Sequence, residues 1–427
     1  MQANIHPYYF LRPVMLFFYC IIVCLSSLLL TDSAVLTLFD FGAKVYLIDI
    51  FFLYFFACFL VISVKTEFKY YQLNRFFLFF LLILFGELCY GITKYGFSAI
   101  GEGRYVYWLM MFAVPLFFYS NGEIKTLRDF DRFFKITYCL VIVNVLILLI
   151  IELINGGRFF LAPANKEFIN LQDARGVRYL GSEESFHLGT GIIYILINQF
   201  VNKKKSLSRL IIMLFLLAVL FFTKNRTALL SLALGVIITF LLEGRAKIII
   251  KLAFSFVVLL ALSFLLFPTF IQSLLAPIIG VFNIYEDETG SWRLLMQAAA
   301  IDQGMETPFF GQGFGGYFSY YIEALGGEIN YPPHSMYVYL FQKTGLIGLI
   351  AYLVALFTLI KQSTALRKIT FNNKTSEKYR LMIKVVLISE LFYGFAYGIS
   401  IYAGFFIGML VVLRKITKQP SPSRVPI

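Results

Sequence analysis

Long apolar runs that alternate with short charged connectors constrain this chain more than any other feature. A helix that rises about 1.5 Å per residue needs about 17–25 apolar residues to cross a hydrocarbon core of about 30 Å. The sequence contains about twelve such runs, several of them short or nearly fused. Their approximate bounds are 13–30, 45–64, 76–93, 105–119, 133–154, 185–201, 209–223, 227–242, 247–268, 336–360, 381–394 and 395–413. The runs predict an all-α, polytopic integral membrane protein whose residues 1–427 form a single transmembrane domain.

Composition supports a membrane protein and argues against a nucleic-acid-binding protein. Hydrophobic residues make up 59% of the chain and charged residues 14%, whereas soluble domains carry about 25% charged residues. The net charge of +13 does not indicate a nucleic-acid partner, because the basic residues are spread among connectors and are not gathered on one face. The 5 cysteines lie within apolar runs, where they act as small hydrophobic residues.

The distribution of lysine and arginine predicts the orientation. With the N-terminus inside, most of the 37 basic residues fall at the termini and in alternate connectors, including one that carries Lys378 and Arg380. The positive-inside rule then places both termini in the cytoplasm. It also directs outward a loop over 155–184 and a larger loop over 267–335 that contains short helices.

Two of the outward-facing arginines are candidate anion-binding residues. Arg226 lies in a turn of about four residues between two apolar runs, so it is either a snorkelling charge at a helix end or a fixed cation that faces a cavity. Ser291 is expected to cap a helix from Trp292 to about Gln303. That places Arg293 in the first turn, where helix dipole and guanidinium together favour a phosphate. The alternative is an ion pair with the acidic residues at 286–288.

His334 is the candidate for proton transfer. It follows Tyr331-Pro332-Pro333, whose restricted backbone fixes the chain just before an apolar run. An imidazole held rigidly at the water interface can take up or orient a proton near neutral pH, although a structural role is the alternative. The aromatic rings of Tyr317, Tyr321 and Tyr331 surround a glycine-rich turn and suit sugar binding. No aspartate pair suited to magnesium is found on the outer side, so we predict neither a metal nor a cofactor.

Four motifs resemble those of the O-antigen ligase and polymerase superfamily. They are Asn225-Arg226 at the start of an apolar run, Ser291-Trp292-Arg293 at the start of a helix, PFFGQGFGGYF at 308–318 and PPHSMYVYLFQKTGLIGLIAYL at 332–353. The resemblance implies a bacterial glycosyltransferase of GT-C-like architecture in the cytoplasmic membrane. It implies partners that include undecaprenyl-diphosphate-linked oligosaccharide, membrane lipids and a chain-length regulator.

A fifth motif, RYLGSEESFHLGTGI at 178–192, resembles an element of the polymerases in this superfamily. The resemblance implies that Arg178, with Arg175 nearby, adds to the phosphate site, and that Glu184 or Glu183 assists the acceptor hydroxyl. The two glutamates are alternatively a solvated helix start. The predicted function is polymerisation of O-antigen or capsule repeat units, with catalytic Arg226, Arg293 and His334.

Two other functions are alternatives to polymerisation. One is ligation of the glycan to lipid A-core. The other is a lipid-linked glycan flippase, because Asp49, Glu87 and Glu390 lie within apolar runs, where carboxylates commonly mark transport pathways.

Overall fold

The computed structural model of this chain is mostly helical, which confirms the coarse prediction of fold class. The residues that it describes are 37–40, 44–46, 74–107, 111–117, 123–154, 182–202, 207–222, 225–266, 288–316, 320–322, 327–329, 333–370, 373–398 and 401–418, with isolated positions between 14 and 57 and at 268. Most of the first two predicted spans, Asp49 and most of the 155–184 loop lie outside this part of the chain, and the described start of the predicted 45–64 span belongs to a strand.

The described helices are α1 Arg75–Tyr95, α2 Ser98–Tyr107, α3 Ala113–Phe117, α4 Glu123–Ile154, α5 Ser182–Asn202, α6 Leu207–Phe222, α7 Arg226–Leu242, α8 Ala246–Leu266, α9 Glu288–Gly304, α10 Met336–Ala365, α11 Arg367–Thr370, α12 Lys374–Tyr393 and α13 Ile401–Lys418. Two small antiparallel hairpins, which an all-α fold did not predict, accompany them. Strand β1 Thr37–Asp40 pairs with β2 Lys44–Tyr46, and β3 Tyr320–Ile322 pairs with β4 Gly327–Ile329.

The span predicted over 105–119 does not form one helix. Helix α2 ends at Tyr107, and α3 begins at Ala113 after a short 3₁₀ turn. Pro115 lies in the first turn of α3, where its missing N–H costs nothing and its fixed φ favours a helix start. Helix α13 packs closely against this break, since a Cβ at Gly408 would lie 2.1 Å from the Phe112 carbonyl oxygen.

Helix α12 is the centre of the fold, and it is buried along almost its whole length between α5, α7, α10 and α13. Its closest neighbour is α7, which approaches it at Gly235. A Cβ there would lie 2.0 Å from Ser389 Oγ and 2.8 Å from the Val385 carbonyl oxygen, so only glycine permits the contact. Small residues at helix crossings allow this kind of backbone approach.

Helices α5 and α7 run in the same direction. A Cβ at Gly189 would lie 1.9 Å from Leu232, and further along the two helices the rings of Phe200 and Phe240 are 5.4 Å apart. Both helices therefore begin at one end of the bundle, which we call the Arg226 end. They finish at the opposite end, which we call the Glu243 end.

Helix α10 is kinked at Gly345, which has a φ of 63°. A Cβ there would lie 2.2 Å from the Phe309 carbonyl oxygen, so a side chain is excluded by both backbone conformation and space. The amide groups of Leu346 and Ile347 donate to the carbonyl oxygens of Pro308 and Phe309, at 2.8 and 3.3 Å. The kink thus accepts the start of the 308–318 motif, at Pro308 and Phe309, against the side of the helix.

Four charged residues, Glu243, Glu377, Arg380 and Lys384, form an ion cluster at the Glu243 end. Arg380 donates to both Glu243 oxygens at 2.8 Å and to both Glu377 oxygens at 2.7 and 2.8 Å. Lys384 donates to Glu243 Oε1 at 2.7 Å. The side chains of Arg380, Glu243 and Lys384 are wholly inaccessible to solvent. Arg380 is therefore a core residue and not part of a solvated connector.

The cluster keeps the Glu243 carboxylate ionised. Burial disfavours the Glu243 charge, but hydrogen bonds from Arg380 and Lys384 outweigh it and lower the pKa of that carboxyl from 4.5 to about 2. Arg245 and Arg367 contact the cluster from its edge, Arg245 with Glu377 at 3.1 Å and Arg367 with Glu243 at 3.4 Å. The ion cluster therefore holds the end of α7 against the first half of α12.

Candidate functional site

His334 is held at the Arg226 end by the start of α10. It is half-buried between buried Pro333 and Ser335. The amide of Met336, two residues further on, donates to the carbonyl oxygens of Gly394 and Tyr397, at 2.8 and 3.0 Å. The backbone beside His334 is thus fixed to the turn that follows α12, as a proton-transfer residue on a rigid support requires.

Arg293 lies against the same turn. Its guanidinium carbon is 5.6 Å from the ring centroid of Tyr397, within the range of a cation–π contact. Its Nε is buried and has no hydrogen-bond partner among the described residues. Arg293 forms no ion pair with any carboxylate whose side chain the structure describes, and the side chains of the acidic residues at 286–288 lie outside that part. A buried N–H of a cation without an acceptor is suited to an anionic ligand.

The predicted start of the Arg293 helix was wrong. Helix α9 begins at Glu288, so Ser291 lies within it and is not its cap. Arg293 is in the second turn, past the first-turn N–H groups, and Glu288 places an acidic residue in the first turn, where the helix dipole favours it. Anion binding by Arg293 therefore depends on the guanidinium and its surroundings, not on the helix end.

Tyr397 connects these residues to α5, and no sequence motif pointed to it. Its ring stacks on Tyr393 at 5.1 Å, and Tyr393 contacts Phe186 in the first turns of α5 at 4.7 Å. Through this aromatic series, the starts of α5 and α10, part of α9 and the end of α12 meet at one place.

The start of α7 lies at the same level. Arg226 is its first residue, as predicted, and the Asn225 side chain caps the helix by accepting from the Ala228 amide at 3.1 Å. Gly235, nine residues further on, crosses α12 at Ser389. At 1.5 Å per residue, Arg226 is about 13 Å from that crossing, in the direction of the Arg226 end. The turn with Tyr397 lies on the same side of the crossing and at about this level.

The start of α5 provides Glu184 at this level as well. Glu184 precedes Gly189 by five residues, and Arg226 precedes Leu232 by six, while Gly189 and Leu232 are in contact between parallel helices. The backbones of Glu184 and Arg226 therefore lie near the same height along the bundle. We place these two residues by their backbone alone.

The remaining predicted site residues lie in a hairpin or outside the described part of the chain. Tyr321 lies in β3, opposite Glu328 of β4. Arg175, Arg178, Tyr317 and Tyr331 lie outside the described residues. The described part of the chain has no group of three or more His, Cys, Asp or Glu side chains that could hold a metal ion.

A buried ion pair supports the glycine-rich turn at 311–316. Lys343 Nζ lies 2.7 Å from Glu102 Oε2 and donates to the Gly316 carbonyl oxygen at 2.7 Å. The Gly315 amide donates to the same Glu102 carboxylate at 2.8 Å, and Gly315 has a φ of 97°. Burial raises the pKa of Glu102, and the Lys343 charge opposes that shift. The turn is buried against α2 and α10, so in this structure it acts mainly as a scaffold.

The surface of the described helices defines the class of protein. Large apolar side chains are exposed along α1, including Phe79 at 53%, Leu82 at 67% and Phe85 at 64%. Among the described helices, the segments 75–95 and 336–370 are long and apolar enough to cross a membrane. With the exposed apolar faces of α6 and α8, these features are typical of a helical membrane protein.

Within this class, residues 211–353 match the family Wzy_C, described as O-Antigen ligase. This match supports the O-antigen ligase and polymerase superfamily that the motifs predicted. The matched segment contains Arg226, Arg293 and His334. No curated protein matches the chain. Ligase- or polymerase-type glycan transfer in O-antigen biosynthesis is the activity that the family indicates.

Proposed function

We propose that this protein is a polysaccharide polymerase that transfers a growing glycan from undecaprenyl diphosphate to a hydroxyl group of another lipid-linked repeat unit. The observation that carries the proposal is the meeting of Arg293 and the His334 backbone at the turn with Tyr397. The start of α7, with Arg226, lies at the same level. The motif at 178–192 favours polymerisation over ligation.

In this mechanism His334 accepts the proton of the acceptor hydroxyl as its oxygen attacks the anomeric carbon. The bond from that carbon to the diphosphate oxygen breaks, and its electron pair leaves with undecaprenyl diphosphate. Arg226 and Arg293, with Arg178 and Arg175, neutralise the charge that grows on the leaving group. A single displacement inverts the anomeric configuration. Because guanidinium groups supply the positive charge, the reaction needs no metal ion and should proceed in EDTA.

Membrane orientation is part of the proposal. We infer that the Arg226 end faces away from the cytoplasm in the bacterial inner membrane, with both termini inside. The donor then keeps its prenyl chain in the outer leaflet and its diphosphate at the interface. Tyr317, Tyr321, Tyr331 and Glu184 are proposed to contact sugar or acceptor.

The test is incubation of the purified protein with undecaprenyl-diphosphate repeat units alone. We expect a ladder of products, whereas a strict requirement for lipid A-core would identify a ligase and refute the polymerase. A change in lipid sidedness without new glycosidic bonds would identify a flippase.

Variants test the assigned residues in the same assay. His334→Ala and Arg293→Ala should each lower the rate by about 10²–10³-fold, because each removes a group that acts on the transition state. Arg293→Lys should restore only part of the rate, since an ammonium lacks the planar pair of donors. Arg75→Ala, at the exposed start of α1, is the control and should retain full activity. Full activity of His334→Ala and Arg293→Ala would reject the assignments.

A further inference from the structure

A groove of about 630 Å³ opens at the Glu243 end of the bundle, where α4, α5, α6 and the start of α12 meet. Its polar part is lined by four cations, Arg128, Lys135, Arg209 and Lys378. Its apolar part is lined by Leu127, Ile142, Ile195 and Ile212. A basic region that continues into an apolar channel is complementary to an amphiphilic anion, which has a charged head and an apolar chain.

The groove retains positive charge after its internal pairing. Asp131 is the only carboxylate among the lining residues. One of its oxygens accepts from Lys378 at 2.5 Å and from Tyr194 at 2.6 Å. The other lies 3.1 Å from Lys135, which is largely exposed. Burial opposes ionisation of Asp131, but the hydrogen bonds and the Lys378 charge outweigh it, so its pKa lies below the ordinary value. One carboxylate thus faces two lysines.

Arg128 and Arg209 are the surplus cations. Neither contacts a described carboxylate. Arg128 is exposed on α4 and Arg209 is half-buried on α6. An arginine offers parallel N–H groups that match two oxygens of a phosphate, and the pair can therefore bind one phosphate group.

The length of the groove matches one membrane leaflet. On α4, Ile142 follows Arg128 by fourteen residues, about 21 Å of helix. Half of a hydrocarbon core of about 30 Å, together with the headgroup layer, is of similar thickness. The basic connectors at the Glu243 end are the ones that the positive-inside rule assigns to the cytoplasm.

We propose that this groove binds one anionic phospholipid of the cytoplasmic leaflet. Arg128 and Arg209 hold the headgroup phosphate, and an acyl chain lies along Ile142, Ile195 and Ile212. Basic pockets between membrane helices on the cytoplasmic side bind anionic headgroups in this way. The groove is separate from the candidate active site, because about 22 Å of α12 lies between Lys378 and the helix end at Tyr393. The lipid would hold α4 and α6 together beside α12.

The test measures thermal unfolding of the purified full-length protein in mild detergent with added phosphatidylglycerol, phosphatidylcholine or inorganic phosphate. We expect saturable stabilisation by phosphatidylglycerol and none by the other two. Arg128→Gln/Arg209→Gln should weaken the apparent Kd for phosphatidylglycerol at least about tenfold, since a hydrogen bond to a charged group is worth about 1.5–3 kcal/mol. Native mass spectrometry should show less retained phosphatidylglycerol on this variant.

Arg132→Gln is the matched control. Arg132 is exposed on the same helix, one turn beyond Arg128, and does not line the groove. It should bind phosphatidylglycerol as the wild type does. Equal affinity of the double variant and the wild type, equal stabilisation by phosphatidylcholine, or saturation by inorganic phosphate alone would each overturn the proposal.

Discussion

Glu243→Gln should be among the most damaging single substitutions outside the candidate active site. Glu243 is the carboxylate that Lys384 contacts, and it accepts two of the hydrogen bonds of Arg380. Arg380 would keep both bonds to Glu377, at 2.7 and 2.8 Å. The Lys384 ammonium, wholly buried, would lose its counter-charge. Removing one partner of a buried pair costs about 3–5 kcal/mol, and we expect the loss of unfolding free energy to fall in this range.

A second substitution distinguishes lost charge balance from a general packing defect. Lys384→Met replaces the stranded ammonium with an apolar side chain of similar length. In the Glu243→Gln background it should recover about 1–3 kcal/mol, whereas in the wild type it should destabilise. The assay is unfolding of the detergent-solubilised protein by titration with SDS. Glu306→Gln, at an exposed position, is the control and should change stability by less than about 0.5 kcal/mol. Additive effects of the two cluster substitutions would refute the reasoning.

Three further predictions concern stability. The folded state holds the pKa of Glu243 at about 2 against an ordinary 4.5, so ionised Glu243 contributes its full stabilisation above pH 4.5 and loses it as the pH falls toward 2. The free energy of unfolding, measured across that range, should therefore fall less steeply with pH in Glu243→Gln than in the wild type. Gly345→Ala should lower the free energy of unfolding by more than about 2 kcal/mol and lower the yield of protein in the membrane. Gly86→Ala is the control: no atom lies within 4 Å of the added Cβ, so it should be neutral or stabilise by up to about 1 kcal/mol. Lys343→Met should lower the thermal midpoint by stranding the Glu102 carboxylate, and adding Glu102→Gln should restore part of it; no restoration would contradict the proposed pair.

Local signals predicted the features that depend on local chemistry. The apolar run at 227–242 predicted a helix, and the structure shows it as α7, which begins at Arg226 after the Asn225 cap. Pro332 and Pro333 predicted a fixed approach to the next helix, and His334 lies directly before Ser335, the N-cap of α10. These features follow from residue type and short-range spacing.

Features that depend on distant contacts were not predictable. Hydropathy placed a span at 381–394, but α12 begins at Lys374, because partners on α7 neutralise the charges in its first half. The position of Tyr397 beside Arg293 depends on the turn after α12, which the sequence does not indicate. Burial of the glycine-rich turn was not predictable either, because the Glu102–Lys343 pair that supports it joins residues far apart in sequence.

The polar character of α12 has a consequence for how the protein is made. An arginine or lysine near the middle of a helix inserted alone costs about 2.5–3.5 kcal/mol, and α12 carries several charges. Glu243 precedes Arg380 by 137 residues. During synthesis the carboxylate that balances the Arg380 charge is therefore already in the bilayer when α12 leaves the ribosome. We therefore expect the segment translated earlier to assist insertion of this helix, so that deletion of the chain through Glu243 would impair integration of α12.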